Sequence, residues 1–200
     1  MIKKFIFFAF ILTSNTVISQ NFEVGVQGGY GLSNIHFEGT SSHSIGVGNV
    51  GIIGQYNFDD RWSILAKALY DRKGFKYSSI RESEIKETLQ YIDFPLMAKF
   101  HLSHPKEDVR FYIQAGGFFG LFQSAENTTS IKQTDVSDSY ETVDYGAAFG
   151  LGLEIWVTEK LSILVDTEVN IGVADISADP NQNLTSSATK FSAGLLYSIN

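Results

Sequence analysis

Charged side chains spaced in steps of two are the groups in this chain best placed to do chemistry. Asp166 and Glu168 share one face of "LSILVDTEVN", and Asp144 and Glu154 share one face of an earlier segment. Carboxylates held close together can serve as acid and base. A plainer reading is that such charges face one another inside a fold, where a buried charge must be paired. We expect the second, with Lys67, Asp71, Asp93, Lys99, Arg110, Glu154, Asp166 and Glu168 forming one internal network.

Other motifs are weaker. "GVGNVG", Gly46 to Gly51, matches GxGxxG, but a β pattern follows it instead of the helix a dinucleotide site needs. His101, His104, Glu107 and Asp108 in "HLSHPKED" could ligate a metal, yet a polar turn with Pro105 inside it is expected to be merely solvated. The sequons at Asn127 and Asn183 have the composition of loops. No Ser, His and Asp stand in a recognisable nucleophile arrangement. With no cysteine, disulfides, thiolate metal sites and a catalytic thiol are excluded. We assign no catalytic residue, no cofactor and no metal.

The elements that position these charges are strands. Eight stretches follow a period of two: 22–35, 45–58, 62–73, 89–102, 109–123, 143–157, 161–173 and 191–200. The sixth is the cleanest. Val143, Tyr145, Ala147, Phe149, Leu151, Leu153, Ile155 and Val157 face one way, and Asp144, Gly146, Ala148, Gly150, Gly152 and Glu154 the other. The 18 Gly and 16 Phe among 200 residues, with only 3 Pro, suit short turns and pleated strands.

Connections alternate in length. "DDR", "SHPKED" and "TEK" are short, whereas "HFEGTSSHS", "GFKYSSIRESEIKET", "SAENTTSIKQTDVSDSYET" and "ADISADPNQNLTSSAT" are long and polar. In an up-and-down meander this puts every short turn at one end and every long loop at the other, as in outer-membrane barrels. Met1 to Ser19 reads as a secretory signal peptide: Lys3 and Lys4, an apolar run from Phe5 to Leu12, and small residues at Val17 and Ser19 before Gln20. Removing Lys3 and Lys4 from the 15 basic residues leaves 13 against 22 acidic ones, a net −9 for residues 20–200. Acidity of that order argues against nucleic acid as a partner.

One face of each strand is bulky and apolar, and the other is rich in glycine, small residues and charge. An eight-stranded interior is only just wide enough for side chains. Small and charged residues therefore belong inside, and Phe, Leu, Ile and Val outside against hydrocarbon. Trp62 and Tyr70 lie eight residues apart on the apolar face of the third stretch. On tilted strands they are separated by roughly 20 Å along the membrane normal, close to the expected apolar band. The fold expected is all-β: an eight-stranded antiparallel up-and-down transmembrane β-barrel over 20–200, in the outer membrane, contacting its lipid as a monomer. Pro95 interrupts "LQYIDFPLMAKFHL" on the inward face with Asp93, Met97 and Lys99. It cannot donate to a ladder, so a bulge or local break is expected there.

"YIDFPLMAKF" followed by "RFYIQAGGFFGLF" resembles the PorT-like outer-membrane β-barrel family: an aliphatic strand with a central proline ending in Lys-aromatic, then an aromatic strand with a Gly pair. The resemblance extends in outline from the first strand to Asn200. It implies an eight-stranded barrel in the outer membrane of a Gram-negative bacterium, and it brings no catalytic residues. The long polar loops and the lumen-filling charges, not the resemblance, point to a non-enzymatic role, structural or mediated by the loops, with other envelope proteins as partners. Alternatives are a barrel enzyme acting on lipid or peptide, a soluble exported lipocalin-like binding barrel, and a small-molecule channel. An enzyme would need groups near the loop end, where His36, His43 and the acids near Asp138 stand.

Overall fold

The computed structural model describes residues 22–37, 42–77, 85–104, 107–129 and 132–199. The segment read as a signal peptide, residues 1–19, lies outside them, as does Pro105 of the turn motif. The strands are β1 (Phe22–Phe37), β2 (His43–Asn57), β3 (Trp62–Tyr77), β4 (Ile85–His101), β5 (Val109–Thr128), β6 (Gln133–Asp135), β7 (Val143–Trp156), β8 (Leu161–Gly172) and β9 (Leu184–Ser198). Every neighbouring pair is antiparallel, in the order β4-β3-β2-β1-β9-β8-β7-β5, and β4 pairs with β5 to close the ring. Eight strands thus form a closed barrel. The short β6 adds only to the loop-end tip of β5.

Period-two patterning sets the two faces. Leu32, Ile52, Leu151 and Phe191 are each more than half exposed on the outer wall, at 58%, 64%, 64% and 67%. Their strand neighbours Ser33, Ile53, Gly152 and Lys190 turn inward. An outer wall of this kind is insoluble in water and stable in hydrocarbon. Aromatics mark both rims of the band. Trp62 packs on its cross-strand neighbour Phe100 at 4.7 Å toward the turn end. Tyr30 lies opposite Phe191, and Phe119 lies opposite both Phe94 and Tyr145, toward the loop end.

The glycines of "GVGNVG" serve this packing. Gly46 faces the Tyr30 ring so closely that an added Cβ would lie 2.0 Å from the Tyr30 hydroxyl. Inside the wall, a Cβ on Gly51 would come 2.0 Å from the Ala68 carbonyl. The segment is strand throughout.

Pro95 departs from expectation in part. No bulge forms. The ladder to β5 runs unbroken through Phe94↔Phe119, Pro95↔Phe118 and Leu96↔Gly117. On the other side the β3 ladder passes from Leu69↔Asp93 to Ala66↔Leu96, omitting the pairs at Phe94 and Pro95 with the register unchanged. Proline thus costs a local gap on the one side where its missing N–H would have donated. The bulges lie elsewhere. Gln123 is extra in β5, between Gln90↔Ser124 and Tyr91↔Phe122. A second irregularity falls in β2 between Ser44 and Asn49. The Gln123 bulge switches parity, so Phe122 and Ala125 both face inward.

Strands β3, β4, β5 and β9 run further toward the loops than the apolar alternation suggests. Above the hydrocarbon both faces of a strand tolerate polar residues, so the periodic signal ends before the pairing does.

Candidate functional site

The inward faces build a filled lumen of stacked layers. At the turn end, Glu154 on β7 accepts from Lys99 at 2.6 Å and lies 2.8 Å from His101 Nε2, both on β4. Lys99 also donates to Gln55 Oε1 at 2.9 Å, and Asn57 Nδ2 donates to Glu23 at 2.8 Å. An apolar layer of Ile53, Leu65, Tyr112, Leu164 and Leu196 lies above.

In the middle, Lys67 meets Glu168 at 2.7 Å and Lys190 meets Asp71. Asp166 accepts from Gln27 Nε2 at 2.8 Å and Tyr112 Oη at 3.2 Å. Met97, Phe118 and Ala148 fill the next gap. Toward the loops, Lys73 lies between Asp93 at 3.0 Å and Asp144 at 2.8 Å, and Ser186 Oγ donates to Asp144 at 2.7 Å.

Among the described residues, four buried lysines therefore face seven buried carboxylates: Lys67, Lys73, Lys99 and Lys190 against Glu23, Asp71, Asp93, Asp144, Glu154, Asp166 and Glu168. The surplus acids take neutral donors, as Glu23 and Asp166 do, or share a lysine, as Asp93 and Asp144 do. Rings stabilise the cations too. Lys73 Nζ lies 4.6 Å from the centroid of Tyr91 and 4.4 Å from that of Phe118. Lys99 Nζ lies 4.1 Å from that of Tyr112. Electron-rich ring faces attract ammonium groups most where water is excluded.

Seven of the eight residues named from the sequence project into this lumen. Arg110 lies at the turn-end rim of the layers: at the start of β5 its Nε is buried while Nη2 turns to the Asp60 carbonyl in the β2–β3 turn. Strand starts lie at the rim, where a long side chain reaches the turn instead of the interior. Glu23, Lys73, His101, Asp144 and Lys190 are further members. Glu23, Lys73 and Asp144 have the parity of the named charges, which could have identified them. Lys190 falls just before the stretch read as the eighth strand, between it and the preceding loop. His101, read as part of a solvated turn, is 2% exposed and points at Glu154, because β4 continues through it. Among the described residues no group of three His, Asp or Glu side chains is arranged to hold a metal.

The loop end is roofed. Ile35, Phe75, Leu89, Tyr91, Ala125, Tyr140, Ala174, Ile176 and Leu184 form one buried cluster. The β5–β7 and β8–β9 connections are laced together over it. Glu141 N donates to Ile176 O at 3.0 Å, Ala178 N to Ser139 O at 3.0 Å, and Ile176 N to Leu184 O at 2.9 Å. Asp175 Oδ1 accepts from both Ser177 N and Leu184 N at 3.0 Å. Tyr140 donates its hydroxyl to Glu87, and burial beside that carboxylate raises the Tyr140 pKa. His36 Nε2 lies 3.1 Å from Ser187 Oγ on the outer wall. His43 and Asp138 are exposed.

Residues 18–178 match a family model described as the outer membrane protein beta-barrel domain. Neisserial surface protein A, from Neisseria, is similar in structure, with a TM-score of 0.55 and 15% identity over 88% of this chain and 96% of that one. The outer membrane protein OprG from Pseudomonas aeruginosa has a TM-score of 0.55 and 11% identity over 90% of this chain and 96% of that one. Likeness at such identity shows the fold alone. No curated protein matches the chain. The family match ends before β9, whose pairing with β1 closes the ring from Glu23↔Ser198 to Phe37↔Leu184. A closed wall with an apolar exterior, and a family match over most of its length, place the protein in the outer membrane: the chain belongs to the outer membrane protein beta-barrel domain family.

Proposed function

We propose that this barrel is non-enzymatic and non-conducting, and that it acts through its folded loops as a monomer bound to envelope partners. One observation carries the reading. Among the described residues, paired charges and apolar layers occupy the lumen from turn end to loop end, and the β5–β7 and β8–β9 loops form a hydrogen-bonded roof above it. A filled interior leaves the loop surface as the part that can meet another molecule. The resemblance of "YIDFPLMAKF" to PorT-like barrels is consistent with this, as is delivery by a cleaved leader over residues 1–19 in a Gram-negative cell.

The experiment is photocrosslinking in intact cells. A photoreactive residue at Ala178, exposed on the roof, is expected to give discrete protein adducts. The same residue at Thr158 in the β7–β8 turn is expected to give different ones. No adduct from Ala178, or the same adducts from both sites, contradicts loop-mediated binding.

The His36–Ser187 contact favours a second reading, a surface hydrolase at the lipid boundary, because a base within hydrogen-bond reach of a hydroxyl is the minimum of an activated nucleophile. Unchanged ester hydrolysis by His36→Ala protein would dispose of it.

A further inference from the structure

A cavity of about 610 Å³ opens between the roof and the rim of β3 and β4. Its volume lies within the range of small-molecule sites, and barrel mouths are a common place for them. Phe75 and Tyr77 supply an aromatic wall, with rings stacked at 5.7 Å, and Tyr140 supplies a third ring. Three carboxylates join them: Glu87, Asp138 and Asp179. Among the described residues lining the cavity there is no Lys, Arg or His.

The charges are fixed in place. Glu87 points in from β4 and accepts from Asn127 Nδ2 at 3.0 Å, from Tyr77 Oη at 3.3 Å and from Tyr140 Oη. Three neutral donors hold that carboxylate at the cavity wall. Asp179 accepts from Asn181 N at 3.0 Å and from Gln182 Nε2 at 3.3 Å, and these turn hydrogen bonds lower its pKa. The loop-end lysine Lys73 does not relieve the field. It is fully buried and already shared by Asp93 and Asp144.

We propose that the loop-end cavity binds small organic ammonium ions carrying an apolar body, with the ammonium directed to Glu87 and Asp138 and the body against the Phe75, Tyr77 and Tyr140 rings. Carboxylates with no cation beside them among the described lining residues attract the charge. Aromatic faces favour both the ammonium and its apolar substituent. The same cavity repels organic anions. This site goes beyond the partner-binding role proposed above and stands or falls separately from it.

The test uses 15N-labelled full-length barrel in uncharged maltoside micelles, so that no headgroup competes. Three probes of similar size are titrated: phenethylammonium, 2-phenylethanol and 3-phenylpropanoate. Amide shifts are expected at Ser139, Tyr140, Ala178 and Gln182, and not at Thr158 or Lys160 in the opposite turn. Phenethylammonium is expected to bind at least about tenfold more tightly than the alcohol, which corresponds to about 1.4 kcal/mol, and the carboxylate not at all. Glu87→Gln is expected to remove most of that preference. Because Glu87 also holds Tyr77 and Tyr140, Asp138→Asn at the exposed rim is the second variant, expected to weaken the amine alone by severalfold with the spectrum otherwise unchanged. The proposal is overturned if the amine fails to bind, if all three probes bind alike, or if neither variant changes the amine's affinity.

Discussion

At the residue scale, each lumen charge is stabilised by its partner far more than by water. Removing one member of a buried pair leaves the other uncompensated, at a cost of about 3–5 kcal/mol. Lys99→Met is therefore expected to destabilise the barrel by about that amount in denaturant unfolding from lipid vesicles, because Glu154 loses its lysine and keeps the weaker contacts to His101 and Ser162. Adding Glu154→Gln is expected to recover most of the loss, since the orphaned charge disappears with it. An exposed carboxylate behaves differently. Asp59 Oδ1 accepts from Arg61 N at 2.7 Å and Trp62 N at 2.8 Å in the β2–β3 turn, and these bonds lower its pKa below the ordinary 3.8. A depressed folded value means the stabilisation is complete above the unfolded pKa and is lost as pH falls through the folded one. Asp59→Ala should thus lower the melting temperature at pH 7, and the gap to wild type should close only below about pH 4.

Much of the lumen was legible residue by residue, because parity alone separates Asp166 and Glu168 from Val165 and Val169. Partners were not legible. Lys67 meets Glu168 across the barrel, not along a strand, and register around a closed ring decides such contacts. Arg110 shows the limit of parity: it has the inward phase, but its position at a strand start lets it reach the Asp60 carbonyl.

At the element scale, the strands declare themselves by alternation inside the hydrocarbon and fall silent above it. β9 begins at Leu184, in a stretch of Thr and Ser where both faces are polar. Bulges were equally hidden. Pro95 advertises a defect and causes only a gap in one ladder, whereas Gln123 advertises nothing and shifts the face of all that follows it in β5. The loop-end stretch of β3 also relies on a special backbone. Gly74 has φ +157, and a Cβ there would lie 2.2 Å from Glu87 O and 2.8 Å from Ile45 Cδ1. Gly74→Ala is expected to cost about 1–3 kcal/mol, read as a lower denaturant midpoint with an unchanged slope. Hydrogen exchange should show the loosening confined to the loop-end rim of β1 to β4, where Ser33 Oγ on β1 accepts from Gly74 N.

At the scale of the whole molecule, closure of the eight-strand ring removes its open edges, the apolar exterior fixes the barrel in lipid, and the small inward residues leave space that ion pairs and aromatic rings then fill. The sequence pattern specified the inside-out arrangement; it did not reveal the apolar roof of Ile35, Phe75, Leu89 and Tyr91, because inward bulky residues near the loops break the pattern that identifies the wall. The central claim is that the paired lumen is shut and leaves the loops as the working surface. Planar-bilayer recording on the purified barrel tests it most directly. The account predicts a conductance that stays at the level of protein-free lipid. Stable, reproducible channel openings would contradict it.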